Sequence, residues 1–476
     1  MILRILLIVV RGANNMNRIL TMSIISLLVF QTGLFVQANL SVDTNTISLT
    51  KTISFSAPII SSEGNYTKIS STEASTNTTD TNQPHLPVYT EVFTFPLGTS
   101  ISSVSCCSEE RYWMSLPFDI LVVNQPMMKD EDQCEQMLRQ PLSTTIIENE
   151  KQYPSNSYEY HLGAGLQDED HVLFVVVRYY PIIYHQSNRT ISWTSAVQIQ
   201  IEYSSQSHQT LSSTTADVDL IIIAPDSFKQ TISPLVFHKN GIGTNTVFQS
   251  VEDIYRFYQG RDDAEKIKYY LKEMLKEHHI SFVLLIGDIH KVPIRTSNVS
   301  IFGQWEHAVL SDLYYADIYD STGGFSSWDT DNDDVFGETG EDSLDLYPDI
   351  HVGRFPCSSI EEVSIVVDKV ITYEQNTFGQ EWFYQMIFIG GNTFPNIFQP
   401  GNEGEKHNRM VMDLMQDFTP SSVIWTSEGN FHPWTINRAI NKGAGFIDYS
   451  GHGFEHGMGT YKPHGRLLKT YLTPYV

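Results

Sequence analysis

The chain has 476 residues and a formal net charge of −25, with 30 Lys and Arg against 55 Asp and Glu. That length suffices for two or three domains, and 41% hydrophobic content is that of a globular protein. The acid excess excludes a nucleic-acid partner and suits divalent cations or a salty exterior.

Residues 1–38 read as a secretory signal peptide. Asn17-Arg18 forms the basic end, Ile24 to Phe35 the apolar core and Val36-Gln-Ala38 the small-residue end. An upstream apolar run, Ile5 to Val10, leaves an uncleaved membrane or cell-surface anchor as the other reading. Either way the protein is expected to be secreted or at the cell surface. No later segment has the ~18 consecutive apolar residues of a membrane span. One disulfide, from Cys134 to Cys106 or Cys107, is expected in such a compartment. Asn65, Asn77, Asn188 and Asn298 begin glycosylation sequons.

Residues 39–87 are rich in Ser, Thr and Asn and read as a linker. From 88 to 205 the pattern is that of strands. Leu173 to Val177 is a continuous apolar run, and Val197, Ile199, Ile201 and Tyr203 alternate with polar neighbours. This predicts an all-β, sandwich-like domain, followed by a polar linker from Gln206 to Ala216.

The pattern then becomes α/β. Asp219 to Ala224 is a buried strand and Thr246 to Phe248 a weaker one. Asp262-Asp263 caps a helix whose inner face is Ile267, Tyr270, Leu271, Met274 and Leu275, and Phe282 to Ile286 is the next strand. Strand, helix, strand in that order implies a parallel crossover. A second set follows: a strand from Val352, a helix capped by Ser358 or Ser359, a strand from Met386 to Ile389, and a helix lined by Val411, Leu414, Met415 and Phe418. Then come a strand at Val423 to Trp425, a helix opened by Pro433 and stopped by Gly443, and a strand through Phe446, Ile447 and Tyr449. That strand leads to His452, flanked by Gly451 and Gly453, where the backbone can approach a substrate closely.

Four groups of residues are candidates for chemistry. Asp329, Asp331, Asp333 and Glu338 lie in one tight acidic loop and suit a structural Ca2+, a cation that takes six to eight oxygens. The loop is no EF-hand, since Asp334 and Gly340 replace the expected Gly and Glu; the other reading is a solvated acidic turn. His452 has His456 and His464 as neighbours, and a zinc reading would use His452 and His456, four apart, but without a helical pair on one face. Cys357 precedes a helix start, where a thiol can be activated or simply buried. Glu403 and Glu405 follow the Ile389 strand and either orient an imidazole or complement a helix dipole.

The α/β half resembles the gingipain family of cysteine peptidases. The residues that carry the resemblance are Asp219-Leu-Ile-Ile-Ile-Ala-Pro, Gly260-Arg-Asp-Asp, Val283-Leu-Leu-Ile-Gly-Asp288 with Val292-Pro293, Ser311-Asp-Leu-Tyr-Tyr-Ala-Asp317, Tyr347-Pro-Asp-Ile-His-Val-Gly-Arg354 and Tyr449-Ser-Gly-His-Gly453. It implies a caspase-like parallel-sheet fold in two subdomains, 218–375 and 380–476, the second incomplete, after a propeptide-like β domain. It implies protein or peptide substrates, His452 as catalytic histidine, the Gly453 N–H in an oxyanion hole, and Glu403 or Glu405 as third member. It also implies a cysteine nucleophile a few tens of residues beyond the histidine. No cysteine follows His452 in the 476 residues, so by this resemblance the stretch ends before its nucleophile and is inactive alone. Two other readings remain: a non-catalytic, calcium-binding cell-surface protein on a peptidase scaffold, and a zinc hydrolase using His452 and His456.

Overall fold

The computed structural model describes residues 46–63, 66–80, 83–108, 110–120, 122, 152–167, 170–204, 218–301, 304–338, 340–392, 402–454, 457–461 and 467–471. The expected signal peptide, the Gln206–Ala216 linker, Cys134, Asn65, His456 and His464 lie outside them. Among the described residues, those from 369 onward form one compact unit and those up to 368 another.

The N-terminal β module contains β1 (Ile47–Ser54), β2 (Ile59–Glu63), β3 (Tyr66–Ser70), β4 (Thr76–Asn77), β5 (Pro87–Pro96) and β6 (Ser100–Ser108). It continues with β7 (Arg111–Ser115), β8 (Tyr158–Gln167), β9 (Asp170–Tyr179), β10 (Ile182–His185), β11 (Thr190–Thr194) and β12 (Ala196–Ser204). Sheet β1-β12-β6 and sheet β4-β5-β9-β8 pair antiparallel throughout and share one core. Val104, Val197, Ile199 and Ile201 from the first meet Phe95, Leu173, Val175, Val177 and Tyr179 from the second. This is the expected sandwich, built from alternating inward residues. Sheet β10-β11-β7 covers a second core around Ile69, Leu116, Tyr184 and Ile191.

The expectation of a linker at 39–87 is corrected. β1 pairs along its whole length with β12, Ile47 opposite Tyr203 through Ser54 opposite Ala196, and Phe55 is buried at its end. Thr and Ser suit a half-wet strand, and the alternating Ile47, Leu49 and Ile53 supply its inner face, so a low apolar count concealed a strand.

The first α/β part has β13 (Leu220–Ala224), α1 (Lys229–Gly241), β14 (Thr246–Ser250), α2 (Val251–Phe257), α3 (Asp263–His278) and β15 (Phe282–Ile286). A hairpin, β16 (Arg295–Ile301) with β17 (Gln304–Ser311), precedes a single turn α4 (Leu313–Ala316), β18 (His351–Phe355) and α5 (Ile360–Asn376). The sheet order is β14-β13-β15-β18, all parallel. All five residues of β13 are buried, as suits the inside of a parallel sheet. Asp262 caps α3 by accepting from the Glu265 N–H at 2.8 Å and holds Arg295 by two further bonds of 2.6 and 3.0 Å.

One guanidinium accounts for the scattered motif residues of this region. Arg354 donates to both carboxylate oxygens of Asp312 at 2.7 and 2.8 Å. It also donates to the carbonyls of Gly287 and Val292 at 2.8 Å and of Pro293 at 3.1 Å. Segments far apart in sequence are thereby fastened at the carboxyl end of β15.

The β module is docked on this part through residues 345–349. The edge strand β8 donates its Ala164 N–H to Asp345 at 2.8 Å and its Leu166 N–H to the Pro348 carbonyl at 3.0 Å. Tyr347 stacks on Phe174 with centroids 4.9 Å apart and lies over Gly163, where a Cβ would come within 2.2 Å of its ring. His171 Nε2 sits 3.0 Å from the Asp349 carbonyl.

Residues from 369 onward carry β19 (Gln385–Gly390), α6 (Glu403–Leu414), β20 (Thr419–Trp425), α7 (Pro433–Asn441) and β21 (Phe446–Ser450). A hairpin series follows: β22 (His452–Phe454), β23 (Gly457–Tyr461) and β24 (Leu467–Tyr471). β20-β19-β21 is parallel and β22-β23-β24 antiparallel. The expected apolar face of α6 is corrected. Leu414 is 45% exposed, and the buried residues are Gly404, Glu405 and Asn408. No helix among the described residues is long and apolar enough to cross a membrane.

Candidate active site

The parallel sheet β20-β19-β21 ends in residues with no room for side chains. At Gly390 a Cβ would lie 2.5 Å from Asn408 Oδ1, and at Gly404 one would lie 2.8 Å from the Ser450 carbonyl. The Gly404 N–H donates to the Gly391 carbonyl at 2.9 Å. Small residues therefore let the first turn of α6 rest against the carboxyl ends of β19 and β21. Gly391 in turn lies between Thr426 and Thr460, whose atoms would each be 2.7 Å from an added Cβ. This rim, the carboxyl edge of an open parallel sheet, is where such folds bind ligands.

His452 stands on the rim as the first residue of β22, paired with Gly459 of β23, rather than in a loose glycine loop. It is half-buried, and Gly453 beside it is exposed. The Tyr449 hydroxyl accepts from the Gly459 N–H at 2.9 Å and faces the carbonyls of His452 and Gly459 at 2.7 and 2.6 Å. Gly451 is required here, because a Cβ would be 2.3 Å from that hydroxyl. Below the rim, Asn408 donates to Asp448 and accepts from Trp425 Nε1, both at 2.8 Å. Burial pushes the Asp448 carboxyl up, partly offset by the Asn408 bond and by His407.

Glu403 and Glu405 both fall in the first turn of α6, which the contacts of Gly404 bring against Ser450 and Gly391. Their placements differ. Glu405 is buried and its carboxylate accepts from the Ser427 N–H at 2.9 Å, the Ser427 hydroxyl at 2.7 Å and the Thr426 hydroxyl at 3.3 Å. It closes the turn after β20. Glu403 is half-buried and leads the helix. Cys357 is buried between β18 and α5, and its thiol is pushed up by burial and by Glu362, the reverse of an activated nucleophile. Cys106 is pushed up to about 12 by burial.

The acidic loop brings together Asp329, Asp331 and Asp333, each with a carboxylate oxygen within 4.8 Å of the others. Glu338 is not in that cluster and hydrogen-bonds Asn298 instead. The residue missed in sequence is Asp342, which accepts from the Thr330 N–H at 2.6 Å and the Glu338 N–H at 3.0 Å and so ties the loop. Its only sequence signal was one more acid among many. Asp329 is buried, paired with Arg261, and accepts from the N–H groups of Asp333 and Asp334 at 3.1 and 3.2 Å. Desolvation and the adjacent Asp333 hold the Asp331 carboxyl above its usual range. Exposed, mutually repelling carboxylates beside one satisfied carboxylate fit the open part of a hard-cation shell.

The profile of peptidase family C25 matches residues 213–471. Gingipain R2 of Porphyromonas gingivalis strain W83 is 26% identical over 244 residues, 51% of this chain and 28% of that protein. Gingipain R1 of Porphyromonas gingivalis is 25% identical over 244 residues, 51% of this chain and 21% of that protein. The chain thus spans less than a third of the length of these curated relatives. Among solved structures, the Arg-specific cysteine proteinase gingipain R aligns with TM-score 0.37 and 22% identity over 53% of this chain and 51% of that one. The complex of Porphyromonas gingivalis RgpB pro- and mature domains aligns with TM-score 0.36 and 22% identity over 51% of this chain and 49% of that one.

Proposed function

The chain belongs to peptidase family C25, and from that premise we propose that it carries the catalytic histidine of an exported cysteine endopeptidase. The observation that carries this is His452, fixed on the carboxyl rim of a parallel sheet within the matched region. In the proposed reaction His452 takes the proton of a thiol, and the thiolate attacks the substrate carbonyl carbon. The oxyanion is met by the Gly453 N–H. As the C–N bond breaks, His452 returns its proton to the leaving amine, and water then hydrolyses the thioester. Residues 369–476 contain no cysteine, and Cys106 and Cys357 carry thiols made less acidic by burial. Neither of these two thiols is assigned as the nucleophile, which the gingipain resemblance places beyond His452 in sequence. Glu403 is preferred over Glu405 as the orienting carboxylate, because Glu405 is engaged by residues 426 and 427.

Asp329, Asp331 and Asp333 would hold a structural Ca2+, whose charge offsets their repulsion. The β module, docked through residues 345–349, is given a propeptide-like role. The second reading is a non-catalytic, calcium-binding surface protein on the same scaffold. One experiment separates the two: hydrolysis of protein and peptide substrates by the full-length protein, its His452→Ala variant and a thiol-alkylated sample. The peptidase reading expects turnover that falls by about 10²- to 10⁴-fold in the variant and stops on alkylation. Activity that survives both treatments, or no activity in any sample, overturns it.

A further inference from the structure

We propose that Tyr449 is a positioning residue for His452, its hydroxyl fixing the backbone that carries the imidazole. The inference rests on the peptidase reading above and names a residue that reading does not use. Tyr449 is the fourth residue of β21; its ring packs against the core of this part while its hydroxyl reaches β22 and β23. The hydroxyl stands between paired residues of the next two strands: the Gly459 N–H donates to it at 2.9 Å, and the His452 carbonyl lies 2.7 Å from it. The Gly459 carbonyl, at 2.6 Å, is the alternative acceptor for its single proton. Burial pushes the hydroxyl above its usual range, so the proton stays on it at any working pH. Gly459 is itself buried, so no water replaces the hydroxyl without the hairpin opening. Gly451 supplies the space: a Cβ there would be 2.3 Å from the hydroxyl and 2.8 Å from the Gly459 carbonyl. A tyrosine three residues before the histidine and a glycine just before it thus form one device, which sets where β22 leaves the sheet. A general base works only within hydrogen-bond reach of its proton, so a shift of this strand acts on turnover before it acts on binding.

The test uses the full-length protein with Tyr449→Phe, Gly451→Ala and His452→Ala. Three quantities are measured: amide exchange at Gly459, kcat and KM on a peptide substrate, and Tm. For Tyr449→Phe we expect Gly459 exchange to accelerate about 10-fold or more as its buried bond is lost. We expect kcat to fall about 10- to 100-fold with KM little changed, and Tm to stay within about 4 °C. Gly451→Ala, which displaces the hydroxyl, should repeat that pattern. An unchanged kcat, unchanged Gly459 exchange, or a kcat loss that merely follows Tm overturns the proposal. So does a Gly451→Ala protein with full kcat. If His452→Ala equals wild type, the peptidase reading itself falls and the catalytic claim for Tyr449 with it, while the exchange measurement separately reports whether the tether exists.

Discussion

Adding one methyl group at Gly163 should loosen the β module from the α/β part. A Cβ at this position would lie 2.2 Å from Tyr347 Cδ2 and 2.4 Å from Cε2, so the ring must retreat by about 1.5 Å to reach an ordinary carbon contact of about 3.5–4.0 Å. It cannot retreat alone. Its neighbours Asp345 and Pro348 accept from Ala164 and Leu166, and the ring itself is stacked on Phe174 at an interplanar angle of 20°. Losing the stack costs about 0.5–1.5 kcal/mol, and weakening two edge hydrogen bonds about 1 kcal/mol each. Replacing a strand glycine returns about 0.5–1 kcal/mol through the unfolded chain. The net cost expected for Gly163→Ala is about 1–3 kcal/mol. In a Tyr347→Ala background the same change should cost nothing or stabilise slightly, giving a coupling of about 1–3 kcal/mol in a double-mutant cycle. Urea denaturation of the four proteins, followed by far-UV circular dichroism, measures it. If Gly163→Ala costs the same with and without Tyr347, the contact between them is not what holds the module.

Asp262→Asn should keep the α3 cap but leave the buried Arg295 without its charge partner, costing about 1–2 kcal/mol at pH 7, because the Asp262 side chain is 45% exposed and solvent screens the pair. Burial raises the Asp262 carboxyl, but Arg295 and the Glu265 N–H outweigh it and hold it below its usual range. Its contribution is therefore present above the usual carboxylate pKa and lost as pH falls through the folded value, so the two proteins should converge in acid-denaturation curves below about pH 4. Asp349 has the opposite sign. Burial pushes its carboxyl up to about 8, so its contribution is present in acid and lost as pH rises through that value. Asp349→Asn should match wild type in Tm at pH 5 and exceed it at pH 9, and a wild-type advantage at pH 9 would contradict this sign. For the acidic loop, Asp331→Asn and Asp333→Asn should each reduce the Tm gain on adding Ca2+ by several degrees, whereas Glu338→Gln should not. Equal effects at all three positions would return Glu338 to the cation shell.

The buried strands β13, β15 and β19 were legible because four or more consecutive large apolar residues have one use in an α/β chain. α3 was legible because a cap and a helical period coincide at Asp262. Other elements escaped for identifiable reasons. β1 is half Thr and Ser, and only its partner β12 marks it as structure. α1 carries Pro234 in its interior and leaves Phe237 82% exposed, so it shows neither a clean period nor a clean boundary. α6 buries Gly404, Glu405 and Asn408, so its inner face is polar and close-packed instead of apolar. In the site, His452 was found through its flanking glycines, but Tyr449 read as one more apolar strand residue. What distinguishes it is a contact ten residues away, with Gly459, that exists only once β23 has folded back. The acidic loop was visible as a cluster, whereas the division of labour between Asp342 and Glu338 depends on backbone turns that spacing alone does not specify.

In both parallel sheets the strand synthesised first ends up inside. β13 is flanked by β14 and β15, with β18 added beyond, and β19 is flanked by β20 and β21. During synthesis each new strand leaving the ribosome finds an open edge already formed, and none has to be threaded between two that are paired. The nascent chain can therefore lengthen each sheet outward in the order of translation. The first closure in each sheet, β13 with β14 and β19 with β20, spans a single crossover and carries the smaller loop entropy, whereas β15 and β21 return past a strand already placed. The sticky edge moves with the growing chain and is never left behind at its starting strand.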